Sequence, residues 1–274
     1  MKIACGVKNI KEAFWAFENG VDEVYFSYKS IPNHRRTELS VQNFLDAVKI
    51  IKLGVKKNKI TSLVYNGDDI NYDLRYFRKN IFPLITEFVY YGLKRLIIKD
   101  VYLMEILRDM GLKIGFNLSS LSLVFNSHSL DFFKKYKISR IVLPLHLSCE
   151  ESIDLIKNAK KNKMETEFFY YPNHNCQNVD PLCDFCDLKH KGCKITYNKN
   201  FFMPIPSVYQ MAEHFYSNYM AGAEYIKIPR TLSFYKTQKA VLDIGYLAKT
   251  LKKNKNFKIF RDTFLKTVNV SLSV

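Results

Sequence analysis

Apolar positions along this chain follow two periods in alternation. Short β-branched or aromatic runs occupy residues 2–7, 22–27, 59–66, 95–100, 113–120, 139–145, 165–171 and 224–229. Each has the length and composition of a buried strand. Between them lie longer segments with apolar residues at helical spacing. The first is 9–20, with Ala13, Phe14 and Phe17 on one face and Gly20 as a stop. Ser40 is placed to cap a helix over 41–57, and 69–92 reads as a helix bent at Pro83. Further helices are expected over 101–110, 127–136 and 206–222, and from 234 to about 253. Ser148 and Glu151 stand at capping-box spacing before another that ends near Asn162.

Repeated β–α alternation implies a parallel sheet, and eight units close into a (β/α)8 TIM-like barrel. An open doubly wound sheet is the alternative. No composition break interrupts residues 1–254, so one barrel is expected there. The tail, 255–274, is expected to add a strand or to pack under the barrel. In such a barrel, chemistry sits at the C-terminal ends of the strands.

A cysteine-rich stretch over residues 173–194 follows the seventh strand directly. It reads NHNCQNVDPLCDFCDLKHKGCK, with Cys176, Cys183, Cys186 and Cys193 spaced C-x6-C-x2-C-x6-C. Four thiols in one loop form a metal centre more readily than a packing feature. Both zinc and iron–sulfur clusters take four thiolates, and the spacing does not choose between them. His174 and His190 flank the cysteines and read as hydrogen-bonding or surface groups. No apolar run is long enough to span a membrane, and the N-terminus lacks a signal peptide. A cytoplasmic setting is therefore expected, where thiols stay reduced and ligate metal.

Composition changes this picture in one respect. The chain has 42 Lys and Arg against 26 Asp and Glu, a formal charge of +16. Such a balance attracts nucleic acid or anionic substrates. It also fits a general bias toward Lys, Asn, Ile, Phe and Tyr, and the lysines are spread over many helices rather than gathered in one tract.

Polar residues at the strand ends are the candidate mouth groups: Asn66, Lys99, Asp100, Asn117 and Ser119. Asp100 equally suits a helix N-cap. His146, after the sixth strand, is the candidate acid or base. Lys227 and Arg230, around the eighth, could hold an anionic group. Phe168, Phe169, Tyr170 and Tyr171 read as core or as a stacking surface for bases. Cys5 and Cys149 read as buried or capping thiols, Cys5 being a spare ligand if it faces the mouth. No GxGxxG, P-loop, HExxH or GxSxG motif is present.

The opening, KIACGVKNIKEAFWAFENGVDEVYF, resembles the start of the collagenase-like peptidase family U32. The block around Asp100, the pair Asn126–Ser127, and the run Val142, Leu143, Pro144, Leu147, Ser148, Glu150, Glu151 and Ile153 resemble that family's core. Cys176 and Cys183 match its C-x6-C, and Lys227, Ile228 and Arg230 echo its eighth-strand motif. The resemblance covers about residues 1–250. It departs where Cys186 and Cys193 follow at once and where the eighth-strand motif shortens to KIPR.

The resemblance implies a barrel and a [4Fe–4S] cluster on the four cysteines, with zinc as the alternative. It also implies oxygen-independent hydroxylation of an RNA base or a small aromatic substrate. A redox partner or a related paralogue subunit would serve that chemistry. On this reading Asp100, His146 and Arg230 are catalytic, and Asn66, Asn117 and Lys227 bind substrate. The rival expectations are a collagenase-like peptidase and a non-catalytic binding or accessory protein with a structural zinc loop.

Overall fold

The helices begin where the sequence supplies a side-chain oxygen for the orphan N–H groups of a first turn. Asn9 caps α1 (Ile10–Glu18) and Asn43 caps α2 (Phe44–Lys56). Asp100 caps α5 (Val101–Asp109), and Asn126 caps α6 (Ser127–Lys134). Ser148 and Glu151 form the expected capping box on α7 (Cys149–Lys161), and Ser207 with Gln210 forms a second on α8 (Val208–Ala221).

Two expectations are corrected here. Ser40 caps nothing: its hydroxyl is buried 2.9 Å from that of Ser27, and α2 starts three residues later than Val41. The helix after the third strand is not simply bent at Pro83. It runs through α3 (Leu74–Tyr76), a π-helical turn (Phe77–Ile81) and α4 (Phe82–Tyr90), with Pro83 in the first turn of α4. A π turn absorbs the register change that proline's missing N–H imposes.

The structure, a computed structural model, describes residues 1–33, 39–67, 74–170, 196–197, 201–202, 206–229 and 233–272. Its strands are β1 (Lys2–Gly6), β2 (Glu23–Phe26), β3 (Ile60–Tyr65), β4 (Arg95–Ile98), β5 (Gly115–Leu118), β6 (Arg140–Val142) and β7 (Glu165–Phe169). A short antiparallel pair follows, β8 (Thr196–Tyr197) with β9 (Phe201–Phe202), before β10 (Tyr225–Ile228). The seven early strands and β10 close into a parallel barrel in the order β1-β10-β7-β6-β5-β4-β3-β2. This is the (β/α)8 fold the alternation predicts.

Alternate strand residues face outward and make one continuous core with the helices. Val24, Phe26, Leu63, Leu96, Phe116 and Phe168 belong to it. The tail is a helix and not a strand. Its apolar residues at helical spacing form α10 (Phe257–Leu272), which packs against α8 and α9 (Phe234–Lys253). Phe260 and Phe264 bury themselves against Phe215 of α8, at ring separations of 5.4 and 6.1 Å.

His214 of α8 is buried where that helix meets β7, edge-on to Phe168 at 5.9 Å. The Asn218 amide donates to its backbone carbonyl and lies 3.1 Å from Nδ1. Burial pulls the imidazole pKa from 6.5 down to about 3, so the native ring stays neutral. The unfolded chain takes up the proton below pH 6.5 and the native chain does not. Stability is therefore full above that value and falls as pH drops toward 3. Between pH 7 and pH 4 this one ring should cost about 3 kcal/mol. Urea unfolding at the two pH values should show that loss, and His214→Gln should flatten it; an unchanged slope in the variant would refute the assignment.

Candidate active site at the barrel mouth

Strand residues of the other parity point into the barrel, and here many are charged. Glu23, Arg140, Glu167 and Lys227 are each at most 6% exposed. Arg140 Nη1 donates to Glu23 Oε2 and to Glu167 Oε2, both at 2.7 Å. Its Nε and Nη2 reach Glu165 Oε2 at 3.3 and 3.2 Å. Arg95 joins Glu165 Oε2 at 2.8 Å and Asn117 Oδ1 at 3.0 Å. Ser62 donates to Glu23 Oε1 at 2.6 Å, and Lys227 Nζ donates to Glu167 Oε1 at 2.6 Å. Three cations thus face three carboxylates.

Burial alone would lower the Arg140 pKa, but Glu23 and then Glu167 reverse this and hold the guanidinium charged. Burial would likewise raise Glu167, but Lys227 and Arg140 together push its carboxyl below the ordinary range. The two planar rings complete the packing. The Arg140 guanidinium lies 3.3 Å from the Tyr225 ring centre, and Lys227 Nζ sits 4.0 Å from that of Tyr25. Tyr25 OH reaches across β1 to donate to Ile228 O at 2.9 Å. Ala4 and Gly6 of β1 leave room for that crossing, since neither carries a large side chain.

Further along the same strands the interior turns apolar. Tyr25, Val64 and Ile97 pack together, as do Val142, Leu145 and Phe169. These later positions separate the ionic layer from the mouth. At the rim, Asn66 Nδ2 donates to Ser119 Oγ at 3.1 Å, and Ser122 Oγ donates to Lys99 O at 3.0 Å. The loops after β3, β4 and β5 are thereby joined. A recess beside them is lined by Val7, Tyr25, Ser27, Asn33, Leu39 and Val64. Its wall depends on Gly67: a β-carbon there would stand 2.7 Å from Asn33 N and 2.8 Å from the Pro32 carbonyl carbon.

The expected site residues fall in three places. Asn66, Asp100 and His146 lie at the C-terminal ends of β3, β4 and β6. Asp100 is engaged as the α5 cap, its Oδ1 accepting from Leu103 N at 3.0 Å. Beside it, burial first and then Asp100 and Tyr76 raise the Tyr65 hydroxyl to about 12. Asn117 and Lys227 sit a layer below the rim, inside the ionic network, because strand parity turns them inward. Arg230, Cys176, Cys183, Cys186, Cys193, His174 and His190 lie outside the described residues.

Cys5 packs outward with Ile3 and Val7 in the helix-facing core and not toward the mouth. Cys149 is the first residue of α7; burial, then Glu213 of α8, raises its thiol pKa. Among the described residues no group of three or more His, Cys, Asp or Glu side chains is placed to hold a metal ion.

Glu23, Arg140, Glu165 and Glu167 were not among the sequence candidates. Their signal was present: charged residues at alternate positions of strands that a barrel must bury on both faces. Removing the hub should cost most. Arg140→Met leaves Glu23 buried without a cation and takes one cation each from Glu165 and Glu167, and should lower unfolding free energy by about 3–5 kcal/mol. Lys227→Met leaves Glu167 its bond to Arg140 and should cost about 1–3 kcal/mol. Urea midpoints give the ranking, and the reverse order would remove Arg140 from the centre.

β7 ends at Phe169 and lies between β6 and β10, so Tyr170 stands at the C-terminal rim, and the cysteine segment, which follows it in sequence, lies outside the described residues. Among solved structures the chain is similar to the U32 peptidase Mk0906, with 9% identity over 62% of this chain and 68% of that one and a TM-score of 0.47. It is also similar to tryptophan synthase from M. tuberculosis, with 10% identity, 97% and 91% coverage and a TM-score of 0.49. Thiamine phosphate pyrophosphorylase from Pyrococcus furiosus gives 8% identity, 98% and 95% coverage and a TM-score of 0.46. No curated protein matches the sequence. The model of peptidase family U32 matches residues 8–180, from the turn after β1 into the cysteine segment, and the chain belongs to that family.

Proposed function

We propose that this U32 family member is an iron–sulfur enzyme that hydroxylates an RNA base or a small aromatic substrate without molecular oxygen. One observation supports the reading: β7, which the four-cysteine segment follows in sequence, ends on the face where barrels of this kind do chemistry. Four thiolates are the donor set a [4Fe–4S] cluster takes, so Cys176, Cys183, Cys186 and Cys193 would hold it. When bound, such a cluster supplies one-electron transfer.

The net reaction converts a ring C–H and water into C–OH, two protons and two electrons, the electrons passing to a redox partner or a paralogue subunit. The chain's own residues shape the site. The apolar layer of Tyr25, Val64 and Ile97 suits an uncharged planar ring better than an extended peptide. Asn66 and Ser119 present amide and hydroxyl groups at the rim, and His146, in the loop after β6, would move a proton. Asp100 fixes α5 and Arg230 would meet an anionic group.

The family's peptidase name supports a second reading, cleavage of a peptide, with the same mouth as its site. Anaerobic purification decides between them. The expected protein is brown, carries iron and acid-labile sulfide, absorbs at about 400 nm, and loses that band in Cys183→Ala. A colourless protein with stoichiometric zinc would overturn the redox reading. Peptide cleavage that survives both chelation and Cys183→Ala would establish the peptidase.

A further inference from the structure

The lysines that look scattered along the sequence collect at one end of the barrel. The segment Lys-Lys-Asn-Lys occurs at 56–59, 160–163 and 252–255, and Lys-Lys-Tyr-Lys at 134–137. These four segments end α2, α7, α9 and α6. Helices of this fold run antiparallel to the strands, so all four lie on the face opposite the mouth.

The first segment is neutralised, because Lys57 pairs with Glu18 and Lys59 with Asp22. The lysines of the other three are all exposed, and among the described residues none forms an ion pair. These three are also contiguous. The turns at 134–137 and 160–163 feed the neighbouring strands β6 and β7. Lys160 Nζ lies 3.9 Å from where a β-carbon of Gly222 would be, beside the turn into β10. Tyr216 of α8 then donates to Lys255 O at 2.6 Å. The rim's carboxylates are turned to partners: Glu165 to Arg95 and Arg140, Glu224 to Thr166.

A helix C-terminus attracts lysine for electrostatic reasons alone, but the backbone argues for more. Gly20, Gly92, Gly111 and Gly222 supply the left-handed conformation after their helices. At two of the three unpaired basic turns that conformation falls to a lysine, Lys137 and Lys163, at φ 50° and 57°; at the third, Asn254 is extended. Lysine is strained in the left-handed conformation and glycine is not. At these two turns lysine stands where the backbone prefers glycine.

We infer that this rim is a docking surface for the phosphate backbone of RNA, distinct from the mouth and its chemistry. Exposed, unpaired lysines on successive turns are what a phosphate polymer needs. Phe132, 49% exposed with Lys135 Nζ 4.6 Å from its ring centre, offers one stacking face for a base. The exposed apolar side chains near these turns, Phe132, Met220 and Ile259, stand on three different helices and make no single apolar helix face of the kind that lies in a membrane surface. Binding is independent of the cluster, so this inference and the redox reading fail separately.

The test uses the full chain and a labelled mixed-sequence RNA of about 20 nucleotides, titrated by fluorescence anisotropy at several salt concentrations. The double variant Lys137→Gly/Lys163→Gly should keep or raise the melting temperature, because glycine relieves both turns. Its RNA affinity should fall about tenfold at low salt, with a log–log salt slope shallower by about 1.4. Cys183→Ala should bind like the parent. Unchanged affinity and slope in the double variant would overturn the inference and leave the lysines as helix-end electrostatics. So would lysine-dependent binding to anionic phosphatidylserine vesicles with none to RNA.

Discussion

One guanidinium holds the inside of this barrel together. Arg140 bonds carboxylates from β2 and β7, so a single side chain ties strands that are not neighbours in the ring. Most barrels of this type fill their interior with branched apolar layers. A buried ionic layer costs desolvation, and its merit lies in geometry: each charge has its partner only when every strand is in register. A slip of one residue in β7 would turn Glu165 and Glu167 outward, leaving Arg140 and Lys227 buried without a counter-charge.

The mouth rests on that layer. Lys227 supports the ring of Tyr25 from below, and the Tyr25 hydroxyl crosses β1 to β10. Val64 and Ile97 pack on the same ring. The floor of the site is therefore apolar on its open side and ionic beneath. β7 contributes to both levels through Glu167 and Phe169, and its next residues lead into the cysteine segment.

The two ends of the molecule have different characters. Among the described residues of the mouth, Asn66 and Ser119 are engaged with one another. At the opposite end, exposed lysines gather on three turns, and two of them, Lys137 and Lys163, stand where backbone preference would favour glycine.

Local pattern determined much of this. The eight strands, their order of helices, the caps at Ser148 and Asp100 and the four-thiol segment all follow from short-range periodicity and spacing, which need no knowledge of distant contacts. The family could also be read from residues such as Asn126, Ser127 and Pro144. Tertiary structure alone decided the rest. Asn117 and Lys227 look like rim residues in sequence, but strand parity and barrel closure place them in an ionic layer whose other members are far away along the chain. The tail became α10 because Phe260 and Phe264 found a groove against α8. The lysines seemed dispersed because sequence distance separates turns that the barrel brings to one face. Charge pairing and surface potential depend on distances in space, and those exist only once the ring has closed.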